Sequence, residues 1–178
     1  MDALIFLALL LFLASLGLLW RSRSLRQSTG LPGGRVIYSD TSKWGRVDEP
    51  LYSAELGLTG KPDYLLEQGG QFIPVEVKSG RIPEGPYDSH IFQLAAYCLL
   101  VAHIYEKRPA YGLLHYTTTS GAARTFAVDF TPALEAALLE LMQEMRSLER
   151  RKDVHRSHET AARCKGCGFS NICDQRLT

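Results

Sequence analysis

Residues 61–80 read KPDYLLEQGGQFIPVEVKSG, and the glycine pair in their middle constrains the fold more than any other feature. A Gly-Gly step between two runs rich in Leu, Tyr, Phe, Ile and Val predicts a β-hairpin. Its strands should cover 61–67 and 71–78, turning at Gly69-Gly70. Side chains two apart in a strand share a face. Glu76 and Lys78 therefore point one way, and Val75 and Val77 turn to the opposite face, where they can pack into a core. Pairing across the turn can bring Asp63 near Glu76. The hairpin thus gathers two carboxylates and one ammonium group on one surface.

Two adjacent carboxylates repel, and ionising both is costly unless a cation sits between them. Mg²⁺ or Mn²⁺ suits such a pair, because hard cations take oxygen ligands and keep several waters. Asp63, Glu76 and the backbone carbonyl of Val77 are the candidate metal ligands. A metal there would polarise a phosphoryl oxygen and activate a water, and Lys78 would orient the water or steady the developing charge. An E-x-K triplet alone is commonly only a solvated ion pair worth about 0.2–1 kcal/mol. Its neighbours decide between the two readings.

The spacing predicts a helix over 88–107, DSHIFQLAAYCLLVAHIYEK, with Asp88 or Ser89 as cap and Ile91, Leu94, Ala95, Cys98 and Ala102 as its apolar stripe. Gln93 and Tyr97 are four apart and share a face offset from that stripe. His90, one turn earlier, either joins that face or is a first-turn surface residue; Glu55 reads as a loop acid. RVIYSD near residue 35 offers a short strand, and 41–60 is weakly patterned. AYGLLHYTT and ARTFAVDF form a second strand pair turned at Ser120-Gly121. A long helix follows, with Thr131 as cap and Pro132 at its first position. The order implies a mixed α/β domain with helices covering a central sheet.

"GKPD" at 60–63, "PVEVKSG" at 74–80 and "QLAAY" at 93–97 resemble the PD-(D/E)XK nuclease superfamily, in its RecB-like branch. With "ELGLTGKPD" and the closing "CKGCGFSNIC", the chain is most similar to the CRISPR-associated RecB-like exonucleases, the fourth Cas family. The resemblance implies a restriction-endonuclease-like fold. It also implies metal ligands at Asp63 and Glu76, a catalytic lysine at Lys78, and Gln93 and Tyr97 aimed at the active site or the DNA strand.

Cys164, Cys167 and Cys173 are spaced C-x2-C-x5-C, close enough for three thiolates to converge on a metal or cluster. In the family resembled, such cysteines and one more near the N-terminus hold a 4Fe-4S cluster. This chain departs from that pattern: its remaining cysteine, Cys98, lies on the helix stripe, where a thiol packs as a small hydrophobe. Three readings stay open: a cluster completed by Cys98 or a non-cysteine ligand, zinc with His155 or His158, or no metal. The preceding segment, rich in Arg and His, reads either as a phosphate contact or as a solvated face.

Residues 3–20, ALIFLALLLFLASLGLLW, carry no charge, and at about 1.5 Å per residue they just span a bilayer core. Arg21, Arg23 and Arg26 follow directly, which predicts a single-pass anchor with the C-terminal domain in the cytoplasm. The expected plan is an anchor at 1–20, a tether at 21–34, a nuclease domain at 35–150 and a cysteine-rich tail at 151–178. With a formal net charge of +1, any nucleic-acid surface must be local. The expected function is metal-dependent hydrolysis of DNA, at single-stranded ends, by a membrane-tethered exonuclease. Proteins of repair or CRISPR adaptation are the partners that the resemblance implies. A non-cleaving module that binds nucleic acid or a partner on the same fold is the rival reading.

Overall fold

The computed structural model describes residues 34–37 and 44–177. The expected anchor at 3–20 lies outside the described residues, as does the tether apart from its last residue. Among the described residues no helix is long and apolar enough to cross a membrane. The chain divides into two compact units, one ending at Leu139 and the other spanning Glu140–Thr178.

In the first unit the strands are β1 (Arg35–Ile37), β2 (Trp44–Arg46), β3 (Leu51–Ser53), β4 (Leu58–Gly60), β5 (Tyr64–Gln68), β6 (Gln71–Ser79), β7 (Tyr111–Thr117) and β8 (Ala123–Asp129). Helix α1 (Asp88–Ile104) joins β6 to β7, and α2 (Pro132–Glu149) follows β8. Six strands form a sheet in the order β1-β8-β7-β6-β5-β2, and β3 pairs with β4 alone. The β6–β7 pair is parallel, as a helical crossover requires, and the other pairs are antiparallel. The sheet is therefore mixed, as expected.

The hairpin forms at the predicted glycines. Gly69 and Gly70 have φ of 59° and 72°, the pair of left-handed residues that a two-residue type I′ turn needs. That turn fixes the register from Gln68↔Gln71 to Tyr64↔Val75. Alternate pairs of such a hairpin exchange no hydrogen bonds, so Pro74 opposite Leu65 costs the β5 ladder nothing. Val75 is fully buried and clusters with Leu66, Ile73, Leu113 and Ala127 on one sheet face.

Helix α1 packs on the opposite face, against β6 and β7. Leu94 sits so close to Gly112 that an added Cβ there would lie 2.7 Å from its side chain. Four of the five stripe residues are buried, and Ala102 is half-buried. Tyr97, Leu99, Leu100 and Val101 are buried too, beyond the expected stripe. The cause is the β3–β4 hairpin, whose Leu51 packs on Leu100 and Val101 and covers a second side of the helix. The expected side-chain cap is absent: Tyr87 occupies the N-cap position without a capping bond, and the helix ends at Ile104. The cap of α2 is as expected, with the Leu134 amide donating to Thr131 Oγ1 at 3.1 Å.

Candidate active site

The acid pair follows from the hairpin register. One step past Tyr64↔Val75, Asp63 faces Glu76 in a pair without ladder bonds, the kind whose side chains approach most closely. The Val77 amide donates to Asp63 Oδ2 at 2.7 Å, so this carboxylate continues the ladder where the β5 backbone ends. On the other side the parallel register sets Glu76 beside Leu114 and Lys78 beside Tyr116. Both Glu76 and Lys78 lie on the face that α1 covers.

That cover turns the acid from a surface group into a buried one, with Glu76 only 6% exposed. Its Oε1 accepts from Lys78 Nζ at 2.7 Å and from Gln93 Nε2 at 2.9 Å. Gln93 Oε1 accepts from Lys78 Nζ at 2.8 Å, and Gln93 Nε2 also reaches the Tyr97 hydroxyl at 2.9 Å. The amide thereby ties together the acid, the lysine and the tyrosine. Gly60 at the end of β4 makes room for the Tyr97 ring, because a Cβ there would sit 2.7 Å from it.

Burial raises the Glu76 pKa most, the bond and charge of Lys78 lower it, and facing Asp63 raises it again; the net position is above 4.5. Burial likewise raises Tyr97, opposed by its bond from Gln93 and reinforced by the charges of Glu76 and Asp63, so the phenol stays neutral. A buried acid whose charge is resisted by burial and by a second carboxylate is a fit place for a hard divalent ion. Asp63, Glu76 and the Val77 carbonyl are the oxygen donors available there.

All five side chains expected at the site are thus joined through one network or one strand pair. His90 belongs beside them. Its Nδ1 lies 2.8 Å from the Tyr116 hydroxyl, and its pKa is lowered by burial first and then by the positive charge of Lys78. Tyr116 carried no signal in the sequence, because its place follows from the parallel β6–β7 register. Glu55 pairs with His103 at 3.4 Å and is 81% exposed, as a loop acid should be. An open cavity of about 710 Å³, lined by Arg46, Pro50, Leu65, Phe72 and Tyr105, includes none of the network residues.

The three tail cysteines are not gathered as ligands. Cys164 is buried, Cys167 half-buried and Cys173 exposed. Among the described residues no three His, Cys, Asp or Glu side chains group around a common point. His158 Nδ1 is buried without a hydrogen-bond partner, while Cys98 is buried in α1 and its thiol is pushed up by burial. Among the described residues the donor set that a 4Fe-4S cluster or zinc would need is therefore not assembled.

The family model of the PD-(D/E)XK nuclease superfamily matches residues 19–174. The chain belongs to this superfamily. Within it the chain is 31% identical over 147 residues to a CRISPR-associated exonuclease Cas4 of Rhodospirillum rubrum, covering 80% of this chain and 42% of that protein. It is also 31% identical over 148 residues to a CRISPR-associated exonuclease Cas4/endonuclease Cas1 fusion of the same organism, covering 80% of this chain and 24% of the fusion. The chain spans less than half the length of either relative. The crystal structure of SSO0001 matches with a TM-score of 0.45 at 24% identity, over 73% of this chain and 58% of that one. The Cas4-like, PD-(D/E)XK character expected from the motifs stands.

Proposed function

We propose that this chain is a metal-dependent DNA exonuclease that hydrolyses phosphodiester bonds at single-stranded ends. The observation that carries the proposal is the Lys78–Glu76–Gln93–Tyr97 network closed over a carboxylate pair. Asp63, Glu76 and the Val77 carbonyl would hold Mg²⁺ or Mn²⁺. When bound, the ion supplies Lewis acidity toward a phosphoryl oxygen and acidifies a water. Lys78 Nζ, fixed by Glu76 and Gln93, places a positive charge and a donor where the phosphorane charge develops. Gln93 holds that lysine in one orientation, and Tyr97 holds Gln93. The relatives' Cas4 exonuclease names support DNA as substrate, and the fusion supports a partner of the Cas1 type in CRISPR adaptation, with repair proteins as the other class. The apolar run at 3–20 supports a single-pass anchor holding the domain on the cytoplasmic side.

The test is digestion of end-labelled single-stranded DNA by the full chain, with Mn²⁺ or Mg²⁺ and with chelator. Wild type should shorten the DNA only with metal, and Glu76→Ala should lose at least about a hundredfold in rate. The activity should sediment with membranes and become soluble when residues 1–20 are deleted. Equal inertness of wild type and Glu76→Ala with Mn²⁺ present would remove the enzyme reading.

A further inference from the structure

Beyond the acid pair, the lysine and the Q-x-x-x-Y pair, one polar group lies near enough to feel the Lys78 charge and has no role assigned above. His90 lies three residues before Gln93 on α1, so the two side chains are neighbours on the helix, about 5–6 Å apart at Cβ. Gln93 holds Lys78 at 2.8 Å, and the Lys78 charge reaches the His90 ring. Two tyrosines hold the imidazole. Tyr116, 2% exposed, meets His90 Nδ1 at 2.8 Å, and the Tyr87 ring stands edge-on to the imidazole at 5.4 Å.

The Tyr116 contact favours one tautomer of His90. A phenol O–H is a stronger donor than a neutral imidazole N–H, and an imidazole nitrogen is a stronger acceptor than a phenol oxygen. The hydroxyl proton then goes to Nδ1, and the ring hydrogen of the neutral imidazole sits on Nε2. Among the described residues no acceptor takes the Nε2 hydrogen. A neutral donor held rigidly beside a lysine and a carboxylate pair suits a phosphate oxygen. It adds no second positive charge to compete for the proton or the metal.

We propose that His90 contacts DNA through Nε2–H, donating to a non-bridging oxygen of the phosphate next to the one cleaved, and that Tyr116 is its positioning residue. The proposal rests on the nuclease reading above and deepens it: it assigns one linkage beside the cleaved one to a named group.

The experiment uses the full chain and single-stranded oligonucleotides in which one phosphate at a time is replaced by an uncharged methylphosphonate. His90→Leu should raise KM about tenfold or more with a smaller change in kcat. His90→Gln, which keeps an N–H at a similar reach, should recover most of the loss. Wild type should be slowed by methylphosphonate at one linkage beside the cleaved one, and His90→Leu should be indifferent to it there. Tyr116→Phe should act in the same direction as His90→Leu and add little to it in the double variant. A purely structural histidine would not move the linkage dependence. If wild type cleaves DNA and His90→Leu keeps its kcat/KM and its linkage dependence, this assignment falls while the nuclease reading stands. If wild type does not cleave, the nuclease reading falls first, and oligonucleotide binding by fluorescence anisotropy decides the contact: weaker binding by His90→Leu supports it, and equal or absent binding overturns it.

Discussion

Glu76 lies under α1 with its side chain 9% exposed, yet holding a cation requires it to be ionised. Lys78 offsets part of that cost through a direct bond, but burial outweighs it and facing Asp63 adds to it. The sign of the consequence is fixed. A carboxyl whose folded pKa lies above its unfolded value binds more protons in the folded state. The stability that it contributes is full below the ordinary 4.5 and is lost as pH rises through the folded pKa. Metal-free Glu76→Gln should lack that loss and melt higher than wild type at neutral pH, with the difference closing below pH 4.5. His90 and His115, both lowered from 6.5 by burial, add a slope of the opposite sign, and comparing variant with wild type cancels it. Millimolar Mn²⁺ should reverse the order, because an ion bound only by the folded state stabilises wild type and has lost a ligand in the variant. Thermal melts across pH, with and without Mn²⁺, check both statements. A wild type that melts higher than Glu76→Gln at neutral pH without metal would show that the carboxylate is not held at a cost.

Two glycines separate the turn from the site at the scale of elements. Gly69 needs φ of 59° but has nothing within 4 Å of an added Cβ, whereas Gly60 would push its Cβ to 2.7 Å from Tyr97 and 3.2 Å from Leu100. Gly69→Ala should cost about 1–2 kcal/mol through left-handed strain and leave kcat per folded molecule unchanged. Gly60→Ala should cost about 1–3 kcal/mol through overpacking and lower kcat as well, because it displaces the ring that holds Gln93. Chemical denaturation paired with initial rates on folded protein separates the two effects. The same contrast explains what could be read from the chain before its structure. The β5–β6 hairpin was legible because a local turn sets its register and a period of two sets its faces. Gln93 and Tyr97 were legible because four residues make one helical turn. The β3–β4 hairpin was not, since its strands have only three residues each and too little pattern to announce themselves. The His90–Tyr116 contact spans 26 residues and depends on a parallel register that no short turn dictates.

At the scale of the whole molecule the second unit poses the remaining question: what orders Glu140–Thr178 when its thiols are not gathered. Besides the C-terminal part of α2, the unit holds α3 (Ala161–Lys165) and successive turns, with the Cys167 amide donating to the Cys164 carbonyl at 3.3 Å and the Ser170 amide to Cys167 at 3.1 Å. These are local bonds, and they do not join the unit's ends. Longer-range bonds come from Arg156 and Gln175. The Arg156 amide donates to Gln175 Oε1 at 2.8 Å, and Gln175 Nε2 donates to the Val154 carbonyl at 3.0 Å. The Arg156 guanidinium meanwhile reaches the His158 carbonyl at 3.0 Å and Glu159 Oε2 at 2.6 Å. A side-chain amide bonding to backbone on both of its atoms closes the loop around the cysteines as a strand pair would. Each such bond contributes about 0.5–1.5 kcal/mol, comparable to what a small unit with little apolar core has to spare. Phe169 and Ile172, 71% and 82% exposed, add almost no burial of their own. Gln175→Ala should therefore open residues 154–175 to protease, with the sheet unit still resistant, while Cys173→Ser should leave the cleavage pattern unchanged. Limited proteolysis read by mass spectrometry distinguishes these outcomes. If Cys173→Ser opens the segment and Gln175→Ala does not, the thiols and not the amide hold it, and a bound metal would have to be sought there.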